Sequence, residues 1–350
     1  MMTIRLSLLL ILCLPLAGCD SLGYYSQAVS GQLSVLSGRQ AITEYIDDPD
    51  THPNLQKQLS LVLELRAFAE IELQLPVEGQ YSDYVDLDRD YVVWNVFAAP
   101  ELSLQAKTWC YPIAGCAGYR GYFSEVDARA FAGRLAEQGF DTYVGGVAAY
   151  STLGWLDDPI LNTFVFREES QLADLIFHEL AHKLLYVPGD SVFNESFATA
   201  VAREGVRRWM LRKGNEDEYP GYLEGVQQKE EFIKLVVRYR EMLESIYQSS
   251  SGDDEKRRRK EELIDQLRGD YESLQQKEGG SLPYTGWMTA VINNAKLNSI
   301  AMYYDLVPAL EKLLAEESFQ LPGFYARCLE LEELTPDERG RQLRSLGGTT

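Results

Sequence analysis

Apolar side chains recur at Leu55, Leu59, Val62, Leu65, Ala69 and Leu73, steps of three and four that keep one face of a helix dry. The spacing predicts a helix over 53–75. Residues 24–48 read as another, and Asp47-Asp48-Pro49-Asp50 separates the two. From about 81 to 123 the period changes. Tyr91-Val92-Val93-Trp94-Asn95-Val96-Phe97 is strand-like, and Gly and Pro punctuate the residues after it. A short helix is predicted over 126–138, ending at Gly139, then a strand from Thr142 to Ala149 and a loop from Gly154 to Asn162. Helices come next from Glu168 to Tyr186, stopped by Pro188-Gly189, and from Ser191 past Arg203. Residues 225–248 and 254–276 read as two long helices joined by Ser249-Ser250-Ser251-Gly252-Asp253. After Gly279-Gly280, helices resume over 285–317. No internal repeat is visible. The pattern predicts an α+β, predominantly helical fold with a small sheet: one domain over 19–350, with a helical arm at about 225–276.

The N-terminus has a different pattern. Arg5 precedes an apolar run, Leu6 to Leu16, broken by Ser7 and Pro15. The run is too short to span a bilayer and has the length of a signal-peptide core. It ends in Leu16-Ala17-Gly18-Cys19, which resembles the lipobox of bacterial lipoproteins. That resemblance implies a signal peptide over 1–18, a lipid on Cys19 and a chain tethered to a membrane and facing the periplasm. In enterobacterial lipoproteins an Asp after the Cys, here Asp20, favours the inner membrane. The alternative is a plain secretory signal with an incidental Cys. No other stretch has the length and apolarity of a membrane span.

Export permits a disulfide. With Cys13 in the signal and Cys19 lipidated, Cys110 and Cys116 can close a short loop containing Pro112 and Gly115, the alternative being two buried free thiols. Cys328 is left over, as a buried thiol. No cysteine spacing resembles a zinc ribbon.

The 350 residues carry a net charge of −20, from 33 Lys and Arg against 53 Asp and Glu. That balance argues against a nucleic-acid partner and against a polybasic grip on anionic lipid. The run Lys256-Arg257-Arg258-Arg259-Lys260 reads as a solvated helix face balanced by neighbouring acids.

The chain has three histidines, and two of them stand in Phe177-His178-Glu179-Leu180-Ala181-His182. This is an HExxH motif. Residues i and i+4 project from one helix face, so both imidazoles can reach one Zn2+ ion. Glu179 points beside the metal, where a carboxylate can act as general base on a metal-activated water. Leu172, Leu175, Ile176, Leu180 and Leu184 supply the apolar face that such a helix needs.

A catalytic zinc requires a third protein ligand. The long metzincin signature would place Gly at 185 and His at 188, where this chain has Leu185 and Pro188. His52, far upstream, reads as an exposed turn residue, which leaves a carboxylate. Phe193-Asn194-Glu195-Ser196-Phe197-Ala198 resembles the Asn-Glu-Gly-Phe-Ala segment of gluzincin aminopeptidases, whose Glu binds zinc, and makes Glu195 the leading candidate. Ala198, Thr199 and Ala202 are small enough for its helix to pack closely on the first. The link from His182 is shorter than in those enzymes. Asp190 and Glu204 are the fallback ligands. Asp174 and Thr199 are candidate hydrogen-bond partners behind the ligands.

The whole chain resembles bacterial lipoproteins described as predicted zinc aminopeptidases. The resemblance is carried by the lipobox, Tyr24-Tyr25-Ser26-Gln27-Ala28, Gly31-Gln32, Cys116-Ala117-Gly118-Tyr119-Arg120-Gly121-Tyr122-Phe123, Tyr150-Ser151-Thr152-Leu153-Gly154-Trp155-Leu156-Asp157-Asp158-Pro159, and the HExxH and Asn-Glu segments. It covers most of 16–310. It implies a zinc peptidase acting on peptide substrates from their N-terminus. The Gly-Ala-Met-Glu-Asn segment with which gluzincin aminopeptidases hold the substrate amine is missing. An endopeptidase with the same site, and a non-catalytic scaffold binding a partner through the arm, are the rival readings. Tyr150, at the end of a predicted strand, and Tyr304, beside Tyr303 on a later helix, are candidate oxyanion donors. Asp157-Asp158 before Pro159 reads first as a turn.

Overall fold

The computed structural model describes residues 19–111, 115–152, 156–277, 282–300 and 306–347. The segment read as a signal peptide, and Tyr303 and Tyr304, lie outside these.

The N-terminal run forms two helices where the pattern predicts one. Helix α1 (Cys19–Ser37) stops at Gly38, and α2 (Ile42–Asp47) comes after strand β1 (Gln40–Ala41). The interruption has a tertiary cause: Gln40 and Ala41 pair antiparallel with β2 (Asp83–Val85), and Ile42 N–H donates to Ser82 O at 3.0 Å. His52 caps α3 (Pro53–Ile71), its Nδ1 accepting from Asn54 N–H at 3.2 Å. The helix ends before residue 75 because Gln74 turns into the left-handed region, with φ of 55°.

A second sheet is built on β3 (Val93–Pro100), which lies between β6 (Arg120–Tyr122) and β7 (Phe140–Val147), antiparallel to both. In the hairpin of β4 (Trp109–Tyr111) and β5 (Gly115–Ala117), Cys110 lies directly opposite Cys116 and the two form a disulfide. Cys328 is a buried free thiol. Helix α4 (Glu125–Glu137) starts at Ser124, whose Oγ accepts from Asp127 N–H, and ends at Gly139, with φ of 85°. Strand β8 (Ile160–Leu161) runs parallel to β2 and leads through α5 (Asn162–Val165) into the longer helices.

Those are α6 (Glu169–Leu184), α7 (Ser191–Lys213), α8 (Tyr219–Gln248) and α9 (Asp253–Lys277). The predicted run 285–317 divides into α10 (Thr285–Thr289), α11 (Asn294–Asn298) and α12 (Val307–Glu316), after which come α13 (Leu321–Glu332) and α14 (Pro336–Gly347). The largest buried cluster joins α3, α6, α7, α12 and α13 through Leu65, Phe68, Phe177, Phe197, Leu310 and Phe324. A second lies within the α8–α9 arm, and a third fills the space between α4 and the β3 sheet. The fold is thus mostly helical with small sheets. Among the described residues no helix is long and apolar enough to cross a membrane.

The basic run on α9 is largely the solvated face predicted for it, with Arg258 paired to Glu255 and Glu262. Lys260 departs from that reading. It is buried, and its Nζ donates to Asp141 at 2.6 Å and to Glu101 O at 2.8 Å, fastening the arm to the sheet.

Candidate metal centre

Two helices and their connection build the site. Helix α6 buries Leu172, Ala173, Ile176, Phe177, Leu180 and Ala181. Helix α7 packs on it with Ala198, Ala200, Ala202 and Gly205 in its buried face. Gly205 is the closest fit: a Cβ there would stand 2.6 Å from the Phe177 ring and 2.9 Å from Leu73. The connection turns before Pro188-Gly189. Leu185 is already extended, and Gly189 takes φ of 85°. Buried Asn194 reaches back across this turn. Its amide accepts from Val187 N–H and donates to Val187 O, both at 2.8 Å. Asp190 Oδ1 accepts from Phe193 N–H at the start of α7, while its other oxygen pairs with the fully buried Arg339. The backbone leading into Glu195 is therefore held from both ends.

His178, His182 and Glu195 converge. His178 Nε2 lies 3.2 Å from His182 Nε2 and 3.2 Å from Glu195 Oε2, and His182 Nε2 lies 3.6 Å from Glu195 Oε1. Lone-pair atoms facing one another repel unless a proton or a cation sits between them. Zinc ligands at ~2.0–2.1 Å in a tetrahedron stand roughly 3.4 Å apart, close to the three separations found here. The donor set, two imidazoles and one carboxylate, suits zinc as well. Among the described residues this is the group of metal-ligating side chains whose atoms lie within 4.8 Å of one another.

The electrostatics reflect burial and crowding. Burial lowers the His182 imidazole to about 4, helped by His178, so it is neutral and can offer a lone pair. Burial also works against protonation of His178, but the hydrogen bond to Glu195 and the charges of Glu179 and Glu195 outweigh it and leave that imidazole raised. Burial works upward on Glu195 too. It is overcome by the His178 hydrogen bond and by the charges of His178, His182 and Lys229, so Glu195 sits below the usual carboxylate range. Glu179 behaves oppositely. Burial pushes it up to about 7, with Glu195 and Asp158 adding to the rise against His178. Two carboxylates whose charges both act on His178 thus have their proton affinities driven apart.

Tyrosines surround this group. Tyr186 lies edge-on to His182, ring centroids 6.2 Å apart. Burial, and then the charge of Glu195, raise the hydroxyls of both Tyr119 and Tyr186. Tyr81 is buried, has φ of 57° and is raised by burial and then by the charge of Glu179. Tyr150 is placed differently. Its hydroxyl is bonded to Gln32 of α1, its ring meets Phe123, and the charges bearing on it are those of Asp158, Arg39 and Arg89.

The other acids near the site in sequence are occupied. Glu204 binds Arg207 and Arg208, and Asp190 caps α7. Asp174 influences His178 electrostatically, but its Oδ1 accepts from Tyr222 at 2.7 Å. Thr199 is buried on α7. Asp158 closes its loop, accepting from Thr152 N–H at 2.9 Å and from Ser151 Oγ at 3.3 Å, as a turn residue should.

Over residues 23–343 the sequence matches the family described as "Putative aminopeptidase". The chain belongs to this family. No curated protein and no solved structure matches it. The match spans every element of this aminopeptidase-family chain from α1 to α14, so it takes in the arm and the disulfide hairpin along with the α6–α7 pair. Sequence reasoning left Tyr119, Tyr186, Tyr81 and Gly205 without a role at the site. Tyr119 lies in a segment that carried the family resemblance, and Tyr186 stands four residues after His182, so both signals were present in the chain.

Proposed function

We propose that this protein is a zinc-dependent peptidase of gluzincin type, a hydrolase acting on the N-terminal end of peptides and tethered at the periplasmic face of a membrane by lipid on Cys19. The observation that carries the reading is the convergence of His178, His182 and Glu195 at separations close to the edge of a zinc tetrahedron, with Glu179 coupled electrostatically to His178 and Glu195. Membership of an aminopeptidase family supports peptide as the substrate.

His178 and His182 would hold the ion through Nε2, and Glu195 through its carboxylate. Bound zinc supplies Lewis acidity, polarising the scissile carbonyl and making water more acidic. Glu179 takes the proton from the attacking water and delivers it to the departing amine. Its pKa, raised to about 7, suits a group that must take a proton and then give it back. Tyr119 and Tyr186, whose hydroxyls feel the charge of Glu195, are better candidates for the oxyanion donor than Tyr150, whose hydroxyl is engaged by Gln32.

A second reading, an endopeptidase on the same site, is favoured by one observation. Among the described residues the further carboxylates whose charge reaches Glu179 or His178 are Asp158 and Asp174, and each already accepts hydrogen bonds from its own surroundings, which weakens the case for either as the anchor of a substrate amine. Digestion of a peptide library with and without chelator, products read by mass, tests both. Loss of single N-terminal residues, abolished by chelation and by N-acetylation of the substrate, supports the aminopeptidase. Internal cuts in acetylated peptides support the endopeptidase. Cleavage indifferent to chelator defeats the zinc proposal.

A further inference from the structure

Helix α1 has one side fastened to the protein and one side bare. Inward, Val35 is fully buried, Gln27 accepts from Phe123 N–H at 3.0 Å, and Gln32 bonds Tyr150. The backbone at Gly31 lies so close to the Phe123 ring that a Cβ would overlap it at 2.1 Å. The Tyr24 ring covers the Arg120 guanidinium at 4.0 Å. Outward, Tyr25, Val29 and Leu33 stand 43%, 58% and 58% exposed. Their spacing of four makes one stripe along the helix, with exposed Ser26, Ser30 and Ser34 beside it.

Between Asp20 and Arg39 there is no charged residue, in a chain of which a quarter is charged and which carries −20 overall. Other large apolar side chains left bare, such as Ile71, Val126 and Val291, stand singly on separate elements. An uncharged apolar stripe on an acidic protein needs a neighbour that neither repels it nor asks it for charge.

We propose that this outer face of α1 lies on the membrane surface, Tyr25, Val29 and Leu33 entering the boundary between headgroups and acyl chains. The proposal rests on the lipid anchor proposed for Cys19. Two facts select a lipid surface as the occupant. The apolar run Leu6 to Leu16 and the lipobox end at Cys19, the first residue of α1, so an anchor there brings the helix to the headgroups. An acidic body is repelled by anionic lipid, and α1 presents the face on which that repulsion is weakest. Tyr with aliphatic and hydroxyl neighbours suits the interfacial layer. Contact of this kind draws on apolar burial, and salt screens the repulsion of the acidic body, so salt should not release it, whereas a basic patch would be released.

The test uses the full chain, purified in detergent and reconstituted into phosphatidylethanolamine–phosphatidylglycerol vesicles. An environment-sensitive fluorophore is attached in turn to Val29→Cys, Leu33→Cys and, at the arm tip between α8 and α9, Ser251→Cys. Cys328 is buried and stays unlabelled. A lipid-borne quencher should dim positions 29 and 33 several-fold more than position 251, iodide should do the reverse, and added salt should not lessen the lipid quenching. Intact mass reports the acyl chains on Cys19 separately. An acylated chain whose positions 29 and 33 are as open to iodide as position 251 overturns the membrane face while leaving the anchor standing. A chain without acyl chains overturns the anchor and this proposal with it. Shielding that appears in detergent alone and grows with protein concentration marks a second copy as the occupant and also overturns the proposal.

Discussion

Helices α6 and α7 and helices α8 and α9 are both consecutive pairs joined by a short turn, yet they treat polar groups differently. On the arm's surface most ion pairs are local, although Arg238 reaches Asp270 across the pair and Lys260 reaches Asp141 on the sheet. Lys234 pairs with Glu231, Arg258 with Glu255 and Glu262, and Arg268 with Asp265, all within one helical turn. The core that the arm shares with the segment after it is aromatic and aliphatic, with Phe232 stacked on Tyr284 at 4.2 Å and Leu243 and Leu267 in the same cluster. In the α6–α7 pair, polar groups reach far along the chain: Glu169 to Trp209, Asp190 to Arg339, His178 to Glu195. Local ion pairs on a surface are worth little and tolerate loss. Partnerships inside a seam are expensive to break, because the group left behind stays buried. The site region is therefore where single substitutions should matter, and the arm's exposed local pairs are where they should not.

The largest effect should come from Glu179→Gln, which keeps the shape of the side chain and removes the base. Peptide hydrolysis should fall by about 10²–10⁴-fold, while zinc content, read by emission spectrometry, stays that of the parent. Next is Arg339→Leu, which leaves half-buried Asp190 without its cation and the Leu331, Glu332 and Leu334 carbonyls without their donor. Denaturant unfolding should show a loss of about 3–5 kcal/mol, together with weaker zinc retention, since Asp190 starts the helix that carries Glu195.

The glycines sharpen the contrast. Gly205→Ala puts a Cβ into Phe177 and Leu73 and should cost about 1–3 kcal/mol. Gly225→Ala, in α8 where nothing lies within 4 Å of the new Cβ, should stabilise by about 0.8–1 kcal/mol. If both shift the unfolding midpoint the same way, the distinction between seam and arm fails.

The last effect concerns pH. Lys296 is buried, donates to Trp287 O at 2.7 Å, and burial, with Arg268 nearby, lowers it from 10.5 to about 8. Between pH 8 and 10.5 the unfolded chain holds this proton and the folded chain does not. Stability from this group therefore rises with pH across that window and is flat below it. Lys296→Met should remove the rise, seen as a difference between the two stability profiles.

The site's first half was legible because its logic is local. His178 and His182 are four apart on one helix, and the apolar period around them marks that helix without any tertiary knowledge. Glu195 was legible through its motif. The reason for the neighbouring Asn194 was not, because it binds Val187 across a turn whose shape the sequence does not state. Tyr119 and Tyr81 come from other segments of the chain, and the fold alone brings them within electrostatic reach of Glu195 and Glu179. The break at Gly38 escaped helical periodicity because strand pairing with Tyr84 and Asp83 decides it. Lys260 escaped the solvated-face reading because one member of a basic run points at Asp141.

Zinc K-edge X-ray absorption on the purified protein most directly probes whether two histidines and one glutamate share a single ion. The spectrum should contain one zinc per chain, bound by two imidazole nitrogens and by carboxylate oxygen at about 2.0–2.2 Å, and Glu195→Ala should remove that oxygen. Sulfur among the atoms bound to zinc, an all-oxygen set, or a spectrum unchanged by Glu195→Ala would contradict it.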